Sequence, residues 1–314
     1  MFNKILVALD GSELAESALP HTVAFAKAFQ AEVTLVRVAG AATGETEKLV
    51  DLFQWRLGKA EAQLYLDKLV KRLRKEGVQA KGVVLEGVVS NRILAYALSE
   101  QVDLLILSSH GLSGYSGWNV SSVVQQIIWQ AYLPVLIVRA FQSPEPEWQE
   151  IDYQKILIPL DLSSRAECAL SAATWIARHH HSLLQPLHLV TRPEIPRRIP
   201  LNAEEQALAE ELVSRNKKEA GHYLAEIRNR LSCDEFKIEP LIEVCTSTAS
   251  ALHDVVRREK IDLVVLCAHG YSSENKWPFG SIAINLIAFG ETPLLIVQDL
   301  AADERPGLQQ HTGH

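Results

Sequence analysis

The sequence has no apolar run as long as the roughly 18 to 20 residues that a membrane-spanning helix needs, and it therefore predicts no membrane span. It also lacks a basic excess, because 31 Lys and Arg residues stand against 38 Asp and Glu residues and leave a net charge of −7. A nucleic-acid surface would need a positive field, so we do not expect nucleic acid as a partner. No signal peptide is expected, since the chain enters a strand almost directly after Met1.

Cysteine is scarce, and its four residues all lie in the second half without close metal-like or redox spacing: Cys168, Cys233, Cys245 and Cys267. We therefore expect reduced thiols in a cytoplasmic protein. A length of 314 residues corresponds to about two domains, and half of that length can bury its own core.

One pattern occurs twice along the chain. In each half an apolar strand runs into a small-x-His-Gly turn, and a small residue followed by Ser comes at one shared spacing. The two histidines are 269 − 110 = 159 residues apart, whereas the aspartates that end the first strand of each half are 161 − 10 = 151 apart. Eight residues were therefore gained between the first and fourth strands of the second copy, and we expect them in the Pro-rich loop 192–200.

Strands alternate with helices in each copy, which predicts parallel β-α-β units with right-handed crossovers. We expect a first helix from Ser12 to Phe29 that bends at Pro20, and a third strand of the second copy over 236–244. The predicted domains are 1–140 and 153–300, with a stiff acidic linker at 141–152 and a disordered tail at 301–314.

The turn after the fourth strand suits polyphosphate binding. Glycines let backbone N–H groups approach phosphate oxygens, and a helix that starts at the Ser adds a partial positive charge. In parallel sheets ligands bind beyond the carboxyl ends of the strands, which is where Asp10, Asp161 and both His-Gly turns fall. The sequence therefore predicts a site in each half.

These residues resemble the universal stress protein family over nearly the whole chain, as two tandem copies. The family's ATP-binding members carry Gly-x-x-Gly, nine residues and Gly-Ser/Thr, with an Asp after the first strand. The second copy departs from this pattern once, at Cys267, and the first copy twice, at Ser108 and Ser121. The resemblance implies an α/β chain of two Rossmann-like (adenine-nucleotide hydrolase-like), five-stranded, mainly parallel sheets flanked by helices. It also implies ATP, with or without Mg²⁺, or another adenine nucleotide as ligand.

We expect the better nucleotide site in the second copy, because Gly280 leaves that turn open to a phosphate where the first copy has Ser121. The candidates there are Asp161, Leu189, Cys267, His269, Gly270, Gly280 and Ser281. The weaker candidates in the first copy are Asp10, Val38, Ser108, His110, Gly111, Ser121 and Ser122.

Several of these residues have a structural interpretation beside the functional one. The two aspartates either cap the first helix of their copy or contact the ligand. His110 and His269 stand without a visible Cys, Ser or carboxylate partner, so we interpret them as loop residues rather than catalysts. Cys267 is interpreted as a core thiol, and Trp118 and Trp277 as lids or packed residues. The run His179-His180-His181 ends a helix and favours its dipole, with metal binding as the other option.

Three functions remain open at this level. The first is a nucleotide-binding stress-response regulator, the second an interaction scaffold with vestigial sites, and the third an enzyme with slow ATP hydrolysis. The fifth strands, 135–138 and 294–297, would be exposed apolar edges if they were left uncovered. The family resemblance implies that they pair antiparallel across a two-fold axis, so we expect an intrachain pseudo-dimer. Protein partners and association of two chains are left open.

Overall fold

The computed structural model describes residues 1–40, 52–111, 120–140, 151–193, 202–271 and 278–299. The first copy contains β1 (Lys4–Ala8), α1 (Glu13–Glu16), α2 (Ala18–Phe29), β2 (Glu32–Gly40), α3 (Leu52–Lys75), β3 (Ala80–Gly87), α4 (Val89–Ser99), β4 (Leu104–Ser108), α5 (Ser122–Ile128) and β5 (Val135–Val138). The second contains β6 (Lys155–Pro159), α6 (Cys168–His180), β7 (Leu183–Thr191), α7 (Ala203–Leu231), β8 (Lys237–Ile238), β9 (Leu241–Cys245), α8 (Thr248–Glu259), β10 (Leu263–Cys267), α9 (Ser281–Phe289) and β11 (Leu294–Val297).

All strands belong to one mostly parallel sheet with the order β3-β2-β1-β4-β5-β11-β10-β6-β7-β8, and β9 also pairs with β7. The two copies meet where β5 and β11 pair antiparallel, with Leu136 opposite Leu295. The predicted pairing of the fifth strands is therefore confirmed. Each face of the sheet carries a hydrophobic core that draws residues from both copies.

Polar side chains also hold the two copies together. Arg139, which follows β5, donates from Nη2 to the Leu286 carbonyl at 2.6 Å and from Nη1 to the Ile287 carbonyl at 3.0 Å. It thereby satisfies carbonyl groups in the last turns of α9 in the other copy. Burial lowers the pKa of Arg139 to about 10, so the guanidinium stays charged at neutral pH. On the opposite copy, Gln298 takes the equivalent place and reaches the Ala131 carbonyl at 3.5 Å.

A second link lies on the face where α2 and α6 meet. The buried Tyr153 hydroxyl is 2.7 Å from Nδ1 of His21 in α2, and the ring of His180 packs edge-on against Tyr153. Nδ1 of His180 also lies 3.1 Å from Asp152. His180 thus has structural partners, and no group of three metal-ligating residues occurs in the described parts of the chain.

Two elements differ from the sequence prediction. The first helix is interrupted at Ser17, between α1 and α2, because Pro20 in the first turn of α2 has no N–H for a continuous helix. The strand predicted at 236–244 is divided into β8 and β9 at Glu239 and Pro240. Pro186 of β7 lies opposite this break, so two prolines remove donors from the same part of the ladder.

The register also locates the extra residues of the second copy. Val36 pairs with Val83, a separation of 83 − 36 = 47, and the equivalent Leu187 pairs with Leu241, a separation of 241 − 187 = 54. Seven of the eight extra residues therefore fall between β7 and its neighbouring edge strand, in the segment that contains α7. Residues 194–200, most of the loop expected to hold them, lie outside the described residues, as do 141–150 of the linker and the tail.

Candidate functional site

A cavity of about 680 Å³ lies at the carboxyl ends of β6, β7 and β10. This is the point where the strand order of the second copy reverses, the usual place for a ligand in an open α/β sheet. Its volume is in the range of small-molecule sites. All seven second-copy candidates line it: Asp161, Leu189, Cys267, His269, Gly270, Gly280 and Ser281.

Asp161 organises the floor of this cavity. Its Oδ1 accepts hydrogen bonds from the backbone N–H and the hydroxyl of Ser163, at 3.0 and 2.5 Å, and so shapes the turn after β6. Its Oδ2 accepts from the backbone N–H of Tyr271 at 2.6 Å. Both oxygens keep further acceptor capacity, so the carboxylate can hold the loops and still receive a ligand hydroxyl or amine.

The glycines of the two His-Gly turns have a structural reason of their own. A Cβ at Gly270 would collide with Oδ2 of Asp161, and a Cβ at Gly111 would collide with Oδ2 of Asp10. From the sequence alone, these glycines are attributed to phosphate approach. In the structure they are needed for the close approach of the aspartate. In each copy this contact joins the loop after the first strand to the loop after the fourth strand.

The turn after Asp161 is strained. Leu162 has φ = +69°, the left-handed region, where the first copy has Gly11 with φ = +90°. A leucine in this region costs on the order of 1 kcal/mol or more. Leu162 also lines the cavity, so the strained backbone lies at the candidate site itself.

The helices that face the two candidate sites begin differently. In the first copy, Ser121 is the N-cap of α5, and its hydroxyl accepts from the Val124 N–H at 3.3 Å. In the second copy, Gly280 is the N-cap of α9 and supplies no side-chain acceptor. Residues 280–283, the cap and first turn of α9, line the cavity. The Gly280 N–H is bonded to the Ala268 carbonyl at 2.7 Å, so the donors that the start of this helix offers to the cavity are the N–H groups of residues 281–283. The second copy therefore keeps more donors for an anion.

His269 has a carboxylate partner that the sequence analysis missed. Its Nδ1 is 2.7 Å from Oδ1 of Asp299, and Oδ2 of Asp299 accepts from Nε of Arg165 at 2.7 Å. Burial would raise the pKa of Asp299, but the hydrogen bonds from His269 and Arg165 outweigh it and lower that pKa. The His269 side chain is 0% exposed, so only its backbone can face the cavity. The network ties together the loops after β6, β10 and β11.

The first copy lacks this network because Leu14 and Ala140 stand where the second copy has Arg165 and Asp299. His110 instead lies with Nδ1 3.0 Å from the hydroxyl of Ser109, which in turn accepts from the Ala140 N–H at 3.0 Å. Burial, and then the charge of Arg139, lowers the pKa of His110. His110 thus has a serine partner that the sequence analysis missed, and both histidines contact residues of adjoining loops.

The other first-copy candidates lie near this turn. The Ser108 hydroxyl donates to the Leu14 carbonyl at 3.0 Å and also contacts the His110 carbonyl. Asp10 accepts through Oδ1 from the N–H and hydroxyl of Ser12, at 2.9 and 2.6 Å. Val38 is half-buried near the end of β2, and Ser122 is exposed at the start of α5. Several polar groups of the first copy are thus used by its own loops.

Cys267 lies at the end of β10, and its side chain is buried. The pKa of Cys267 is raised above its usual range, mainly by a hydrogen bond with the thiol of Cys168 and also by burial. It is therefore a neutral thiol at neutral pH, as the core interpretation predicts. All four cysteines of the chain are free thiols.

Further polar residues line the cavity that the sequence analysis did not name: His188, Thr191, Asn216, Glu219 and Thr248. Asn216 lies on α7 one turn before the buried Ala220 and two turns before the buried Leu224, and Glu219 directly precedes Ala220. The i, i+4 spacing of Asn216, Ala220 and Leu224 extends the buried face of this helix into the cavity, and this periodicity could have identified Asn216. Trp118 and Trp277 lie outside the described residues.

Comparison with known proteins supports the duplication. A model of the universal stress protein family matches residues 1–139 and again residues 152–298. The chain belongs to this family. Universal stress protein YxiE of Bacillus subtilis is 32% identical over 149 residues, which cover 44% of this chain and 100% of that protein. Universal stress protein MJ0531 of Methanocaldococcus jannaschii is 31% identical over 146 residues, covering 44% of this chain and 83% of that protein.

The tandem arrangement has a solved counterpart. A universal stress protein from Archaeoglobus fulgidus superposes with a TM-score of 0.66 over 96% of this chain and 100% of its own, at 15% identity. This likeness shows the fold. Among the described residues of this universal stress protein, no helix is both long and apolar enough to cross a membrane.

Proposed function

We propose that this universal stress protein binds ATP or a related adenine nucleotide in the cavity of its second copy and acts as a stress-response regulator in the cytoplasm. The observation that carries the proposal is the convergence of seven residues on one cavity. These residues come from separate segments of the sequence, and the topology brings them to one edge of the sheet. Gly270 and His269 are explained by their contacts with Asp161 and Asp299, so Gly280 and Ser281 at the start of α9 carry most of the argument for a ligand.

The part of the cavity next to the N-terminus of α9 suits phosphate groups. The N–H groups of the first turn of α9 and the partial positive charge of its N-terminus favour an anion there. Gly280 brings no competing hydroxyl, and the Ser281 hydroxyl is an additional donor. The phosphates would therefore lie against residues 280–283.

The part of the cavity next to β7 and Asp161 suits a nucleoside. Leu189 is half-buried and gives an apolar surface on which a base can pack, backed by the buried Leu187 and Leu252. Asp161 supplies an acceptor for a ribose hydroxyl or an amine. Asp161 and Glu219 are also the carboxylates available to a Mg²⁺ that arrives with the phosphates.

The first copy remains the weaker candidate, through Asp10, Val38, Ser108, His110, Gly111, Ser121 and Ser122. Its Ser121 and Ser108 hydroxyls are engaged within its own loops. This engagement favours the alternative function, an interaction scaffold without ligand, for the first copy alone.

The test uses the full-length chain. Purified protein is denatured, the released small molecules are identified by mass spectrometry, and ATP is titrated into nucleotide-free protein by calorimetry with and without Mg²⁺. We expect bound adenine nucleotide, loss of binding in Gly280→Trp and little change in the matched variant Ser121→Trp. Absence of both released nucleotide and binding heat would favour the scaffold, and loss of binding in Ser121→Trp alone would move the site to the first copy.

A further inference from the structure

Two cysteines that are 267 − 168 = 99 residues apart in sequence meet beside the cavity. Cys168 is the first residue of α6, and its Sγ lies 3.9 Å from the carbonyl oxygen of Val297. Val297 is the β11 residue that pairs in register with Cys267. The thiols of Cys168 and Cys267 are therefore neighbours across the end of the sheet, and they interact directly.

This thiol pair exists only in the second copy. The repeat offsets align Cys168 with Ser17 (168 − 151 = 17) and Cys267 with Ser108 (267 − 159 = 108). Two hydroxyls cannot be joined by oxidation, whereas two thiols can. The departure from the family pattern at Cys267 is thus accompanied by a difference from the first copy at Cys168, the residue that it contacts.

We propose that Cys168 and Cys267 form a reversible disulfide when the protein meets a hydroperoxide, and that this bond regulates the second-copy cavity. Cys168 is half-buried and Cys267 is buried, so peroxide reaches Cys168 first. Cys267 then acts as the resolving thiol.

The reaction balances with one peroxide. The Cys168 sulfur, as thiolate, attacks one oxygen of hydrogen peroxide; an S–O bond forms, the O–O bond breaks, and the released hydroxide takes a proton to leave as water. The Cys267 sulfur then attacks the sulfur of the resulting sulfenic acid. The S–S bond forms, the S–O bond breaks, and the departing hydroxide takes the Cys267 proton. Two thiols lose two electrons in total, the peroxide is reduced to two waters, and a dithiol reductant reverses the change.

The bond should narrow the cavity. A disulfide holds its sulfur atoms about 2.05 Å apart, much closer than two thiols in contact, so the start of α6 must move toward the end of β10. Ala166, two residues before Cys168, and Cys267 both line the cavity. This regulatory half of the inference rests on the proposed function, and it predicts an ATP affinity about tenfold lower in the oxidised protein, the effect of one lost contact.

The first measurement is independent of any nucleotide. Full-length protein is treated with hydrogen peroxide, its free thiols are titrated, and its peptides are mapped by mass spectrometry without reduction. We expect the count to fall from the four free thiols of the untreated chain to two, with one cross-linked peptide pair that contains Cys168 and Cys267. The double variant Cys233→Ser/Cys245→Ser should form the same link, and Cys168→Ser should not. Four surviving thiols, a link through other cysteines or between chains, or a sulfinic acid on Cys168 beside a free Cys267 would each overturn the proposal.

The second measurement compares ATP titrations of reduced, oxidised and re-reduced protein. A weaker affinity on oxidation that dithiothreitol restores, and that is absent in Cys168→Ser, supports the regulatory role. A mapped disulfide with unchanged ATP affinity refutes that role. Absence of ATP binding in every form refutes the proposed function and the regulation together, while the disulfide is judged by the peptide map alone.

Discussion

The substitution Gly280→Ser should weaken nucleotide binding while leaving the fold slightly more stable. Gly280 has φ = −76° and ψ = 173°, close to the −68° and 161° of Ser121, so a serine fits this backbone without strain. Its hydroxyl would accept from the N–H of Ala283, as Ser121 does from Val124 at 3.3 Å. One N–H group that faces the cavity would then be occupied by the protein itself.

The expected magnitudes have opposite signs. A hydrogen bond to a charged phosphate is worth about 1.5–3 kcal/mol, so losing it weakens ATP binding roughly ten- to hundredfold. Replacing Gly by Ser at an N-cap stabilises a helix by a few tenths of a kcal/mol. Calorimetric titration at fixed salt and a thermal melt without ligand measure the two effects on the same sample. A drop in affinity therefore cannot be attributed to unfolding.

The matched variant is Ser121→Gly, which removes the cap in the first copy. It should lose a few tenths of a kcal/mol of stability and leave the second-copy affinity unchanged. The reasoning is refuted when Gly280→Ser keeps its ATP affinity within about twofold, or when Ser121→Gly is the variant that weakens binding.

Three other perturbations test the structure. Lys71→Glu, on the exposed face of α3, should leave the free energy of unfolding within about 0.5 kcal/mol of wild type in urea. Arg74→Glu should lower it by about 1.5 kcal/mol, because Arg74 donates twice to the Ala80 carbonyl, at 3.2 and 2.8 Å. Equal effects of the two variants would contradict this difference. Burial lowers the pKa of His21 to about 4, so the unfolded chain takes up a proton between pH 6.5 and 4 that the folded protein does not. The free energy of unfolding should therefore fall by about 2–3 kcal/mol as the pH is lowered through this range. A His21→Gln variant whose stability falls with the same slope would exclude His21 as the cause. Leu162→Gly should cost less than about 1 kcal/mol because it relieves the left-handed strain, and a loss typical of a buried leucine in a thermal melt would argue against strain.

The tandem architecture and the pairing of the copies could be predicted because they depend on patterns repeated along the chain. Each fifth strand is wholly apolar, and an apolar edge has to be covered. The interruptions were harder to predict. The split between β8 and β9 depends on Pro186 and Pro240 lying opposite each other, and this register is known only once the strands are paired.

Some residues of the candidate site could likewise be predicted from the sequence, and others could not. Residues at the carboxyl ends of strands could be named in advance, because parallel strands bring those ends to one edge. Asp299 lies two residues after the end of β11, so the same rule could have found the partner of His269. Glu219 could not be found by that rule, since its place depends on how α7 packs over the sheet. The nearness of Cys168 and Cys267 likewise depends on where α6 begins.

The antiparallel junction of β5 and β11 has a consequence for how the two halves can diverge. In a homodimer every substitution appears twice, once on each side of the axis, so an interface or a pocket changes in both subunits together. A single chain that contains both halves is free of this constraint. Arg139 and Gln298 occupy equivalent places on the two sides of the junction. The charged guanidinium of Arg139 donates to two carbonyl groups of α9, whereas the neutral amide of Gln298 donates to the carbonyls of Ala131 and Pro278. Fusion thus allows the pocket of one half to change while the other half keeps its own sequence and still completes the sheet.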